Sequence, residues 1–213
     1  LRIQGCEIEG WGGQGIDMVG CHRVLVTGCE LKGKEGYAAG AGIQMKGGCS
    51  EITIEKCRLI NAGMRPINLG GSTGMPYFRP AGATYEAKNL IVRNNVIKGG
   101  DCAAAFVGLD GGEFSGNTIL NPNKWIFRIL QETRAEGFAP SRNVIVKDNA
   151  ITFQRSQIKV EVNIGEGTQP ETFRFEGNQW FAKDQPSASK PKLPTEERGG
   201  VYGVEPVSKA EHR

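Results

Sequence analysis

The chain has 213 residues, 38% of them apolar, enough for one body with a continuous core and too many for wholesale disorder. Its 31 glycines follow no Gly-X-Y period, which excludes collagen and implies many turns, and its 26 basic and 23 acidic side chains leave a formal charge of +3. With no run of five like charges and no apolar stretch of membrane-spanning length, nothing argues for nucleic acid or a membrane as partner.

Taken in chain order, one short pattern recurs: apolar, any, any, Cys or Asn, any, apolar. The copies are IQGCEI, VTGCEL, IEKCRL, VRNNVI, FSGNTI, VKDNAI and FEGNQW, with Cys6, Cys29, Cys57, Asn95, Asn117, Asn149 and Asn178 at the fourth position. Successive spacings are 23, 28, 38, 22, 32 and 29. A fixed strand with variable insertions is the mark of a solenoid. The β-branched character of Val24-Leu25-Val26 and Ile52-Thr53-Ile54, with no room for a ten-residue helix, predicts β-coils rather than helical repeats. The expected fold is all-β: a right-handed parallel β-helix of about seven coils over residues 1–181. Equivalent positions would then stack about 4.8 Å apart, so the asparagines can form a hydrogen-bonded ladder. Cysteines at the same position, with Cys21 and Cys49 forming a second such pair and Cys102 standing alone, read as stacked small side chains rather than a zinc site.

These copies resemble the right-handed parallel β-helix proteins that include pectate lyases, alginate lyases, polygalacturonases and polysaccharide epimerases. Segments such as GIDMVGC, IQMKGG, INLGGSTG, WIFRILQET and VNIGEGTQPETF are similar to uncharacterised bacterial members. The resemblance implies a secreted or periplasmic protein acting on a polysaccharide, with calcium the one cofactor to consider. The NTD, DD, GHG, RIK and DPHE signatures of the polygalacturonases and alginate epimerases are absent.

Each coil should carry a second strand about ten residues after its Cys or Asn. Alternation of side chains gives two outward columns: Asp17, Gln44, Asn68, Gly108, Arg128, Glu161 and Val19, Lys46, Gly70, Asp110, Leu130, Asn163. In the fourth coil AAAFVGLDGG offers two ways to place its apolar pair, and Asp110 falls in a turn in one of them. Insertions at residues 72–87, with Tyr77, Phe78, Arg79 and Tyr85, and at 133–142 would wall a groove on this face.

The expected catalytic set is Arg128, Asp110, Glu161 and Lys46, and the expected substrate-binding set is Asp17, Gln44, Asn68, Arg65, Arg79, Tyr77 and Asn163. Arg128 or Lys46 would serve a β-elimination as base, while Asp110 with Glu161 would serve a hydrolysis. An exposed salt-bridge ladder of Asp110, Arg128 and Glu161 fits the same spacing. For Arg65 and Arg79, satisfying loop carbonyls is the main alternative to binding a substrate carboxylate. His22 and His212 suggest no histidine-centred metal site, and Glu171, which could bind a cation near Glu161 and Glu166, reads first as a hydrated turn carboxylate. A carbohydrate-active enzyme, most simply a uronate lyase, is the first functional expectation; a non-catalytic glycan-binding or structural β-helix is the second.

Residues 182–213 break the pattern and read as an extended tail, anchored by Val201, Tyr202 and Val204 and running back over the solenoid end. At the other end LRIQGCEIEG reads as a strand already in progress, so a further coil or cap is expected before Leu1.

Overall fold

The structure, a computed structural model, describes residues 1–207, so His212 lies outside it. Three parallel sheets wrap a single core: coils 1 to 6 contribute a strand to each sheet in turn, with the short Cys49–Ser50 added to sheet 1, and coil 7 contributes to sheets 1 and 2. In coil 1 these are Arg2–Gln4 in sheet 1, Glu7–Glu9 in sheet 2 and Gln14–Val19 in sheet 3. Coil 4, in the middle, uses Ala87–Arg93, Val96–Lys98 and Ala104–Val107. The solenoid is the right-handed parallel β-helix that the repeat predicts.

The bend between sheets 1 and 2 explains the repeat. Its third position, Gly5, Gly28, Lys56, Asn94, Gly116, Asp148 or Gly177, adopts a left-handed conformation with φ between 54° and 63°. Glycine, asparagine and aspartate tolerate this best; Lys56 is the one copy outside that set. The next residue then points inward as the ladder rung. Asn95, Asn117, Asn149 and Asn178 are all buried, and each amide bonds the next: Nδ2 of Asn95 donates to Oδ1 of Asn117 at 3.0 Å, Asn117 to Asn149 at 3.0 Å, and Asn149 to Asn178 at 2.8 Å.

Apolar columns run inside each sheet. Ile3, Val26, Ile54, Val92, Phe114, Val146 and Phe175 stack in sheet 1, and Ile8, Leu31, Leu59, Ile97, Ile119, Ile151 and Trp180 in sheet 2. Aliphatic residues fill the first coils. Further on, Phe106, Phe114, Phe127, Phe173 and Trp180 meet edge to face or tilted, with ring centroids 5.5–6.3 Å apart. Ala103 and Ala104 leave room for them.

Pairing passes residue 181. Arg198 bridges to Glu176, and Val201–Tyr202 pairs in parallel with Gln179 and Trp180, adding a partial eighth coil. Tyr202 and Leu193 pack on the core, whereas Val204 is exposed, so Leu193 rather than Val204 anchors this segment. Gly200, at the rung position 22 residues after Asn178, has no side chain, and a Cβ there would collide with the Glu197 carboxylate. That carboxylate ends the ladder. It accepts from Asn178 Nδ2 at 2.7 Å, Trp180 Nε1 at 3.0 Å and the Tyr202 hydroxyl at 2.9 Å.

Candidate functional site

Sheet 3 presents a polar row outward between its core positions. In true register the row is Asp17, Gln44, Asn68, Ala105, Arg128 and Asn163. Its first three members are tied together: Gln44 Nε2 donates to Asp17 Oδ1 at 3.0 Å and Asn68 Nδ2 to Gln44 Oε1 at 2.7 Å. Lys46 lies 3.6 Å from the other Asp17 oxygen. Gln44 and Asn68 are only 7% and 1% exposed although they are not part of the apolar core, so they form the floor of a trough.

Two guanidinium groups stand over the middle of this floor. Arg65 bonds Asn68 Oδ1 at 3.5 Å and Glu132 Oε1 at 2.9 Å. Arg128 donates from Nε to Asn163 Oδ1 at 3.0 Å and lies 4.4 Å from the centre of the Trp125 ring. Among the described residues Arg128 has no carboxylate within ion-pair distance. Burial, then the like charge of Arg65, hold its pKa below the usual arginine value. Beneath lie Cys102, Ala105 and Val107, buried with Trp125 and Leu130 beside them. The Cys102 thiol is pushed up to about 12 by that burial.

The structure therefore brings Asp17, Gln44, Lys46, Asn68, Arg65, Arg128 and Asn163 to one face. It does not bring Asp110 or Glu161 there. In coil 4 the strand Ala104–Val107 is followed by one left-handed residue, Gly108, and Leu109–Ser115 already belongs to sheet 1 of coil 5. That one-residue turn is why Ala105, not Gly108, fills the row and why Asp110 sits on another sheet. There the Arg142 guanidinium grips Asp110 at 2.8 and 3.0 Å and holds its carboxyl below the usual range. In coil 6 the core positions are Ile158 and Val162, with Val160 exposed, so the register moves by two and Asn163 replaces Glu161. Glu161 is buried against Arg155 at 2.6 Å. The Asp110 and Glu161 pair for hydrolysis and the Asp110, Arg128, Glu161 ladder are both ruled out by these registers.

Arg79 donates to the carbonyls of Pro76 and Phe78 at 3.0 and 2.7 Å, so it holds its own loop. Tyr77 is 68% exposed on the turn Met75–Tyr77 at the rim. The two long loops after sheet 3 touch each other across coil 4. Phe78 and Phe138 meet edge to face at 5.6 Å, and Ala139 N donates to Thr84 O at 2.7 Å. Sequence reasoning missed Glu86, fully buried between these loops, as well as Glu132 and Trp125. Only the charge of Glu86 in an otherwise uncharged run before Ala87 could have drawn attention to it.

One concavity away from the trough, of about 370 Å³, lies on the outside of sheet 2, lined by Ile60, Val96, Leu120, Glu205 and Pro206. Among the described residues no three His, Cys, Asp or Glu side chains gather as a metal site. On the trough, Asp17 and Glu132 each face a cation, a donor set that does not fit calcium. The trough can hold anionic and hydroxyl groups through Lys46, Arg65, Arg128 and the amides of Gln44, Asn68 and Asn163.

Neither the comparison with curated proteins nor that with solved structures gives a match. Comparison with protein families matches residues 1–179 to the one described as "Right handed beta helix region". With the coils, the three sheets and the turn ladder all in agreement, the chain belongs to this right-handed β-helix family.

Proposed function

We propose that the sheet 3 trough binds an extended anionic polysaccharide and that Arg128 acts on it as the base of a β-elimination. The observation that carries the reading is Arg128 itself: a partly buried guanidinium on Trp125, held by neutral Asn163 and without a carboxylate partner among the described residues. Such a group suits an incoming carboxylate, and burial with the like charge of Arg65 moves its pKa in the direction that a general base needs. In this reading neutral Arg128 takes the proton α to a uronate carboxylate. Arg65 stabilises the enolate; its electron pair then forms the carbon–carbon double bond as the β carbon–oxygen bond breaks, and the departing glycosidic oxygen takes a proton from water. Lys46, on coil 2 and so about 14 Å from Arg128 on coil 5, binds a neighbouring carboxylate. The resemblance to pectate-lyase-like proteins points the same way and supports a class rather than a reaction. Such polymers place the protein outside the cell or in the periplasm.

Incubation with polygalacturonate and with alginate, with and without calcium, tests this by the ultraviolet absorbance of unsaturated products. Product formation abolished by Arg128→Ala, and rising with pH above neutrality, is expected. No absorbance with either polymer removes the elimination. Retention of the polymers without turnover leaves a glycan-binding β-helix instead.

A further inference from the structure

The groove wall is built from the loops of coils 3 and 5, which meet through Phe78 and Phe138 and through Ala139 and Thr84, and a buried carboxylate ties their first residues together. Glu86 is fully buried, and no cation lies within ion-pair distance of it among the described residues. Its oxygens accept four hydrogen bonds: from Gly47 N, Thr73 N and Thr73 Oγ1, each at 2.8 Å, and from Thr133 Oγ1. Gly47 follows the sheet 3 strand of coil 2, Ala41–Lys46, Thr73 opens the loop of coil 3, and Thr133 opens the loop of coil 5. A buried carboxylate is costly unless its lone pairs are used, and here neutral donors from three coils use them.

Two glycines make the space. A Cβ at Gly108 would come 3.1 Å from Glu86 Cγ, and one at Gly70, where φ is 106°, would collide with the Val107 carbonyl. Thr133 in turn follows Glu132, the partner of Arg65 over the trough floor. We infer that Glu86 is a positioning residue: through Thr133 it holds the coil 5 loop so that Glu132 aims Arg65 at the ligand beside Arg128. This rests on the reading of the trough as an anion-binding groove.

The test separates the two claims. Thr133→Val cuts the bond from Glu86 to the coil 5 loop and leaves the other three, whereas Thr133→Ser keeps the hydroxyl. Hydrogen exchange followed by NMR should show faster exchange of residues 132–139 and of the Arg65 guanidinium in Thr133→Val and wild-type rates in Thr133→Ser. Unchanged exchange in Thr133→Val, or no rescue by serine, overturns the inference whether or not any polymer binds. Polygalacturonate affinity gives the second arm: Thr133→Val and Glu132→Gln should each weaken it by about fivefold, and the double variant no further, because both act through Arg65. Additive losses overturn the route through Glu132. If the wild-type protein binds no uronate polymer, the functional reading falls, and the exchange arm still decides the latch.

Discussion

Coils 4 to 7 place asparagine after the left-handed turn residue, and coils 1 to 3 place cysteine there. The backbone is the same in both halves, but the chemistry that satisfies it differs. Each asparagine spans two levels, as Asn117 does by donating to Asn149 Oδ1 and to the Val92 carbonyl while accepting from Asn95 N and Nδ2. Each buried cysteine fills the same volume with one weak donor, as Cys57 does toward the Glu55 carbonyl at 3.3 Å. Asn95 joins the halves, accepting from Cys57 N at 2.9 Å. A repeat position is thus defined by its size and its turn, and hydrogen-bonding capacity can be added where a column of neighbours can use it.

The largest effect should come from breaking the asparagine half. Asn117→Ala leaves buried donors of Asn95 and the Val92 carbonyl without partners and should cost about 3 kcal/mol in urea unfolding. Cys29→Ala, which removes one sulfur and leaves a small void, should cost about 1 kcal/mol. Equal losses would mean that the ladder bonds add nothing to packing.

Next is the end of the ladder. Glu197→Gln turns one acceptor oxygen toward the donors of Trp180 and Tyr202 into an amide donor or forces it away, at about 2 kcal/mol. The Tyr202 hydroxyl, pushed up to about 12 by burial and the Glu197 carboxylate, should then titrate lower, which spectrophotometric titration would show.

A smaller effect separates the halves by acid. Hydrogen bonds from Arg142, chiefly, hold Asp110 below the usual carboxylate range, and those of Ser115 and then Lys147 do the same for Glu113. A lowered folded pKa gives stability that is present above the unfolded value of about 4 and is lost as pH falls through the folded one. Hydrogen exchange across that range should therefore loosen the sheet 1 strands Leu109–Ser115 and Arg142–Lys147, and Asp110→Asn should remove part of the dependence.

The finest distinction is thiol access. Burial pushes Cys49 and Cys57 up to about 11 and Cys102 up to about 12, and Cys29 is equally enclosed. Iodoacetamide at neutral pH should modify exposed Cys6 first and half-buried Cys21 more slowly, leaving the other four until unfolding. Early labelling of Cys57 would show that the cysteine half opens by itself.

Much of the fold was legible because short-range rules repeat. The left-handed turn residue, the rung after it and the apolar pair around them recur in FSGNTI, VKDNAI and FEGNQW with little change. The eighth copy, ERGGVY, escaped notice because Glu197 stands at an apolar position and Gly200 at the rung, substitutions that make sense only at the end of a column. On the trough, the register of coils 1 to 3 and the position of Arg128 followed from alternation alone. Coils 4 and 6 did not, since Gly108 turns the chain in one residue and residues 154–161 carry Ile158 as the core residue that Val160 seemed to be.

By itself, then, the sequence determined the architecture, because stacking one coil on another needs only a period, a turn residue and an apolar pair, all local. Which charges share a face was decided by the tertiary structure. A shift of two or three residues in a coil takes a side chain off the row, as it did for Asp110, which lies on sheet 1, and for Glu161, which is buried against Arg155, and no local preference records it. The partners of Arg65 and of Glu86 come from coils distant in the chain and meet only once the solenoid is wound.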